Sequence, residues 1–253
     1  MAPSTRQKKA VAPGEIRSVK DLRIKIFSDG ADLDSIAKAY REGIVKGFTT
    51  NPTLMAKAGV MNYLTFAREL LRIVEDLPVS FEVFSDDFDG MRDQALKLNT
   101  LAPNVYVKIP ITNTRRQSAV PLIRELSHRG LKLNLTAIMT LQQVSEVVEA
   151  LHVDSPAFVS VFAGRIADSG RDPVPIMKQA LHLLRTKPRA ELLWASPREV
   201  FNILQADQIG CQIITVTPDL LAKARNLGKD LEEFSLDTVK MFYEDATKSG
   251  YMI

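Results

Sequence analysis

One cysteine, Cys211, is all that 253 residues provide. No intrachain disulfide can form, and a reducing compartment is the expected setting. Histidine is nearly as scarce. His128, His152 and His182 fall in helical patterns without the spacing of metal ligands, so no metal site is expected. No apolar run approaches the length that spans a bilayer, and the first residues hold no hydrophobic segment of the secretory kind. No membrane association is expected, and a cytoplasmic location is. Charge of one sign is also missing from most of the chain. The formal net charge is +3, but residues 1–25 carry Arg6, Lys8, Lys9, Arg17, Lys20, Arg23 and Lys25 against Glu15 and Asp21, a balance of +5 that leaves −2 for residues 26–253. No basic stripe interleaved with aromatics follows, so nucleic-acid binding is not expected.

What remains is ordinary globular material, 45% hydrophobic and 25% charged, enough for a sizeable core. "MAPSTRQKKAVAPGE" has few large apolar residues and two prolines. Residues 1–22 therefore read as a disordered basic tail, and residues 23–253 as one catalytic domain. From residue 23 onward β-prone runs alternate with helical patterns: "RIKIFSDG", "GFTTNPT", "VSFEVFS", "NVYVKIPIT", "LKLNLTAIM", "AFVSVFAG", "ELLWAS" and "CQIITVT", each followed by a helix-like stretch. One such stretch is "RRQSAVPLIRELSHRG", in which Pro121 blurs the boundary. Strands separated by helices imply parallel pairing through right-handed crossovers. Eight units predict an α/β fold of the closed (β/α)8 TIM-barrel type with a C-terminal helical extension. A doubly wound open sheet is the alternative, but no G-x-G-x-x-G follows the first run.

In such a barrel the active site lies at the carboxyl ends of the strands. The polar residues there are Asp29; Thr49, Thr50 and Asn51; Glu82; Lys108; Asn134 and Thr136; Ser160 and Arg165; Ser196 and Arg198. Lys108 raises the sharpest question, since it interrupts an apolar β run. Either it marks an edge strand, where lysine blocks further pairing, or its amine is held in a dry cavity because chemistry needs it uncharged. Glu82, Lys108 and the same-face pair Asn134 and Thr136 fall in mid-run on three neighbouring strands, and a shared internal cavity explains them at lower cost than a surface. Blander readings stand beside this. Asp29 serves equally as a turn or cap residue, Asn51-Pro52 as turn chemistry, Glu82 with Lys108 as a structural ion pair, Thr136 as β propensity, and Arg165 and Arg198 as solvated surface.

With these residues assembled, the sequence resembles the transaldolase family, including its fructose-6-phosphate aldolase branch, from about residue 23 to about 225. "GFTTNPT", "VYVKIP", "LNLTAIM", "FAGRIADSG" and "WASPRE" carry the resemblance, in order and at the expected strand ends. It implies a Schiff base between a ketose and Lys108, with no metal or organic cofactor. It implies that Asp29 moves the proton of the C4 hydroxyl, that Glu82 and Thr136 hold a proton-shuttling water, and that Asn51 and Asn134 bind the dihydroxyacetone fragment. Thr49 and Phe162 join the substrate-binding set, and Arg165, Ser196 and Arg198 grip the distal phosphate. The implied partners are small sugar phosphates, the implied setting is pentose phosphate metabolism, and a homo-oligomer is expected.

Two activities share this chemistry: transfer of a dihydroxyacetone unit between sugars, and aldol cleavage that releases free dihydroxyacetone. Aldolase-branch members typically carry glutamine at the position of Glu82 and tyrosine at that of Phe162. The acid, the plain ring, Asn134 and Arg198 all lean towards transfer. The first-strand motif reads "IFSDGAD" instead of the usual aspartate-threonine form, which keeps a non-standard anionic ketose open as substrate. A non-catalytic barrel that binds a phosphorylated ligand or acts as an assembly subunit is the rival from another class. The last segment, "FSLDTVKMFYEDATKSGYMI", carries an apolar stripe that suits either its own barrel or a neighbouring subunit.

Overall fold

The computed structural model describes residues 18–253. The tail assigned to residues 1–22 thus lies largely outside the described residues, and its last part, Val19–Asp21, is a single 3-10 turn capped by Ser18. Residues 23–223 form one compact unit. Its chain order begins β1 (Lys25–Asp29), α1 (Leu33–Glu42), β2 (Phe48–Thr49), α2 (Pro52–Lys57), α3 (Tyr63–Ile73), β3 (Val79–Glu82), α4 (Phe88–Asn99) and β4 (Val105–Pro110). It continues α5 (Val120–His128), β5 (Leu133–Ile138), α6 (Leu141–Ala150), β6 (Ala157–Val161), α7 (Ala163–Asp168) and α8 (Val174–Leu184). β7 (Ala190–Trp194), α9 (Phe201–Gln208), β8 (Ile213–Val216) and α10 (Pro218–Lys223) complete it. The eight strands are all parallel and close in sequence order, with β1 paired to β8. This is the (β/α)8 barrel.

Local chemistry explains the elements. α3 buries Phe66, Ala67 and Leu70 on one stripe, and α6 buries Val144, Val147 and Val148. Asp32, Asn62, Asp87 and Thr140 cap α1, α3, α4 and α6, each accepting from a first-turn amide. Two departures from the expected pattern have physical causes. α5 begins at Val120, not at the arginines, because Pro121 sits in the first turn, where its missing N–H costs nothing. The preceding residues instead fold into a tight turn, bridged from Thr112 to Ser118 and organised by Asn113, whose Oδ1 accepts from the Arg115 and Gln117 amides. β2 and β6 are each followed by two helices instead of one.

Inside the barrel an aromatic floor separates the two mouths. Phe27 meets Phe158 edge-on at 5.4 Å, and Tyr106 stacks on Phe158 at 4.0 Å between centroids. Leu193 and Ile213 complete the layer. Room for the Phe27 ring comes from Gly47, where a Cβ would stand 2.6 Å from it. At the amino-terminal mouth Lys25 pairs with Glu191.

The second unit includes residues 224–253. It holds a 3-10 turn, Ala224–Asn226, and α11 (Leu231–Ser249), capped by Asp230 and braced by Lys229 on Asp237 at 2.7 Å. No residue of α11 is buried, and Leu231, Val239, Phe242 and Tyr243 are among its exposed apolar side chains. Among the described residues, no helix is long and apolar enough to cross a membrane.

Candidate active site

Alternation along each strand decides what enters the barrel. Above the floor the inward positions are Asp29, Thr49, Ser80, Glu82, Lys108, Asn134, Thr136, Ser160 and Thr215, and hydrogen bonds knit most of them together. Lys108 is 7% exposed. Its Nζ lies 2.9 Å from Glu82 Oε2 and donates to the Thr50 carbonyl at 3.3 Å. The amine therefore does not sit among apolar atoms alone; it already touches a proton acceptor. Edge-strand placement is excluded, because β4 pairs on both sides. Glu82 is placed by its register opposite Lys108 and by Tyr63, whose hydroxyl donates to the Glu82 carbonyl at 2.7 Å.

Asp29 ends β1, and Asp32, not Asp29, caps α1. The Asp29 carboxyl accepts from the Thr49 hydroxyl at 2.7 Å. The residue keeps some accessibility at the mouth, but protein surrounds its carboxyl closely. Burial pushes that carboxyl above the usual aspartate range, while the Lys108 charge and the Thr49 hydrogen bond pull the other way and Glu82 adds to the rise. Asn134 is fully buried and doubly held: its Nδ2 donates to Ser80 Oγ at 2.9 Å, and the Ser160 hydroxyl donates to its Oδ1 at 2.6 Å. These bonds define which way the amide faces.

Thr136 is 1% exposed and its hydroxyl has no hydrogen-bond partner among the described residues. Buried polar groups are rarely left so. A bulge follows at once: the β5–β6 register shifts between Leu135 and Ile138, with Ala137 at φ 60°. Such irregularities re-aim side chains beside sites. Asn51 caps α2 through its Oδ1, which accepts from the Leu54 amide at 3.0 Å, with Pro52 at the first helical position. The turn reading of Asn51-Pro52 thus describes the backbone, and the Asn51 cap uses only the oxygen end of its amide.

The remaining predicted residues lie on the β6–β7 side. Phe162 precedes α7, and the Arg165 guanidinium lies 5.8 Å from the centre of its ring. Gly164 lets α7 close on β7: a Cβ there would stand 1.5 Å from the Ser196 carbonyl oxygen. Ser196 itself adopts φ 61°. Arg198 is exposed and already engaged, its Nε donating to the two Asp168 carboxylate oxygens at 2.9 and 3.1 Å and its Nη2 also contacting Asp168. That hydrogen bonding holds the Asp168 carboxyl below its ordinary range. One edge of the Arg198 fork is therefore in use.

Ser80, Thr215, Tyr63 and Asp168 are contributors that the sequence reading did not place in the site. Ser80 had a signal, since it stands two residues before Glu82 on the same face. A separate surface cleft of about 600 Å³ lies beside α1 and α3, lined in part by Asp32, Asn62 and Glu69. None of the cavity residues lines it, so the barrel mouth remains the candidate site on side-chain geometry.

Comparison with known proteins identifies relatives of the chain as a whole. Residues 26–253 match the family model described as Transaldolase/Fructose-6-phosphate aldolase. A protein named probable transaldolase from Thermoanaerobacter sp. is 34% identical over 231 residues, covering 91% of this chain and 100% of the relative. Another of that name from Exiguobacterium sp. is 32% identical over 222 residues, covering 85% of this chain and 97% of the relative. Among solved structures, a dihydrodipicolinate synthase from Rhodopseudomonas palustris aligns with a TM-score of 0.54 at 13% identity, covering 92% of this chain and 81% of that one. A 2,3-dimethylmalate lyase aligns with a TM-score of 0.53, also at 13% identity, covering 93% and 86%. At such identity these two share the barrel fold and nothing finer.

Proposed function

The chain belongs to the transaldolase/fructose-6-phosphate aldolase family, and on that premise we propose that it is a transaldolase that moves a dihydroxyacetone unit from a ketose phosphate to an aldose acceptor through a Schiff base on Lys108. The observation that carries this reading is the 2.9 Å contact between the buried Lys108 amine and Glu82. A nucleophilic amine must first lose a proton, and here its acceptor is in place.

The neutral Lys108 nitrogen attacks the C2 carbonyl of the ketose. Water leaves from the carbinolamine, with Glu82 and the free hydroxyl of Thr136 holding the water that carries protons. The resulting iminium is positively charged and lies in the cavity Asp29 faces, which favours the Asp29 carboxylate. Asp29 takes the C4 hydroxyl proton, the C3–C4 bond breaks, and its electrons move into the iminium to give a neutral enamine. The positive charge has then gone, and burial favours the protonated Asp29 that the step has produced. The aldehyde made of C4 and the carbons beyond it leaves; when an acceptor aldehyde enters, the enamine carbon adds to it and Asp29 returns the proton to the new alkoxide. Water finally hydrolyses the iminium and frees Lys108. Asn134 and the free amide of Asn51 bind the hydroxyls of the retained fragment. Thr49 and Phe162 border the substrate, and Arg165, Ser196 and Arg198 take the distal phosphate, arginine being suited to paired phosphate oxygens. The exposed apolar stripe of α11 supports a homo-oligomer as part of this reading.

The test is reductive trapping. Incubation with fructose 6-phosphate and borohydride is expected to add a mass adduct at Lys108, and Lys108→Met is expected to abolish it. An enzyme that gives no adduct with any ketose is a binding barrel instead. Free dihydroxyacetone, measured with and without erythrose 4-phosphate, separates the two chemistries. Substantial release without acceptor would make the protein an aldolase.

A further inference from the structure

One residue of the polar cavity has no task in the steps above: Thr215, where a hydroxyl chain ends on β8. Thr49 Oγ1 lies 2.7 Å from Asp29 Oδ1 and 2.6 Å from Thr215 Oγ1. β8, β1 and β2 are consecutive around the barrel, so three adjacent strands supply the three groups in a row. Thr215 is buried, at 6% exposed, and lies on the inward face of its strand.

Proton counting orders the chain. A hydroxyl has one proton to give. When Asp29 is a carboxylate, Thr49 gives its proton to Asp29, so between the two threonines Thr215 must be the donor. Both protons then point towards the carboxylate, and each bond polarises the next. The orientation also leaves Thr49 no freedom to turn away from Asp29. The charged groups that act on Asp29 are Lys108 and Glu82. β2 and β8 present only hydroxyls to it, and the nearby Asp219 at the start of α10 uses its carboxylate on Thr217 and on local amides.

We propose that Thr215 is a positioning residue for the C4 proton transfer, holding Asp29 through Thr49 in the orientation and the ionised state that cleavage requires. The proposal rests on the reading of Asp29 as the base. A threonine kept only for strand propensity would be replaceable by valine; a threonine kept for its hydroxyl would not.

Thr215→Val, Thr215→Ser and wild type distinguish these roles. The Val variant is expected to form the borohydride adduct on Lys108 as wild type does, because Schiff-base formation does not need the β8 hydroxyl. Its turnover at neutral pH is expected to fall about three- to tenfold, the worth of one hydrogen bond. The acidic limb of its kcat/KM profile is expected to move to higher pH, since the carboxylate has lost part of its support. Thr215→Ser restores both. A Val variant with the wild-type pH profile, or a Ser variant no better than Val, overturns the proposal while leaving the Lys108 chemistry intact. Wild type without any adduct overturns both. Melting curves accompany each assay, and should the Val variant not fold, Thr215→Ala against Thr215→Ser makes the same comparison.

Discussion

The two sides of the barrel mouth are built differently. Towards β1–β5 and β8 most polar groups are buried or half-buried and bonded to one another or to Ser160 low on β6: Lys108 to Glu82, Asp29 to Thr49, Asn134 to Ser80 and Ser160. Towards β6 and β7 they are exposed arginines, one of them already paired with Asp168. Electrostatic effects are strong in the first environment and screened in the second. On the proposed reading, bond-making belongs to the dry side, where a small displacement of charge matters, and recognition of a distal anion to the wet side. The contrast says that substitutions on the dry side alter protonation and turnover, while those on the wet side alter affinity.

Asp29→Asn is the hardest blow to that contrast. Turnover should fall by about 10²- to 10⁴-fold, the usual worth of a general base, with the Lys108 adduct still trapped. Stability should move the other way. Burial raises the Asp29 carboxyl, so the folded chain holds that proton more tightly than the unfolded chain does. Its stabilising share is complete below the ordinary aspartate value of 3.8 and is lost as pH rises through the folded value. Asparagine accepts the Thr49 hydrogen bond without ever ionising. The variant should melt above wild type near neutral pH, with the gap closing as the solution is acidified. A variant that melts lower at neutral pH would mean that Asp29 is not held against its own ionisation, and the dry side would lose its distinguishing feature.

On the wet side the expected effects are smaller and fall on KM. Arg198→Ala should raise KM for a ketose phosphate about 10- to 100-fold, the range of one charge-assisted hydrogen bond, and leave an unphosphorylated ketose unchanged. Asp168→Asn loosens the arginine without removing it. Both partners are about half exposed, so its effect should stay at about fivefold or less. If Arg198→Ala instead lowers turnover for both kinds of substrate, the division between the two sides fails.

The same division governs what could be read from the chain beforehand. The barrel was legible because period-2 and helical patterns alternate eight times. Lys108 was legible because a cation in mid-strand has few cheap explanations. Thr215 was not: in "CQIITVT" it looks like a β-branched strand former, and only the closed barrel brings it to Thr49. Asp168 and Arg198 stand 30 residues apart in sequence, and no periodicity links a helix end to a loop on the next strand. Asn51 had two candidate roles and holds the structural one with one end of its amide. The delayed start of α5 escaped because Asn113 organises a turn that a helical reading overlooks. Backbone conformation is the least visible of all, since nothing in an alanine announces a positive φ.

The positive-φ residues allow the finest test. Ala137 at φ 60° follows Thr136 on the dry side, and Ser196 at φ 61° follows β7 on the wet side. An L-residue in this conformation costs about 1–2 kcal/mol, and glycine avoids the cost but loses roughly 0.4–1 kcal/mol through the greater freedom of its unfolded chain. Ala137→Gly should therefore stabilise the protein by about 0.5–1 kcal/mol, read as a higher denaturation midpoint with an unchanged slope. It should also slow turnover modestly, since a freer bulge aims the Thr136 hydroxyl less well. A gain in stability without any loss of turnover would mean that the bulge serves the packing of β5 on β6 and not the aim of Thr136. The dry side would then owe its geometry to side-chain hydrogen bonds alone.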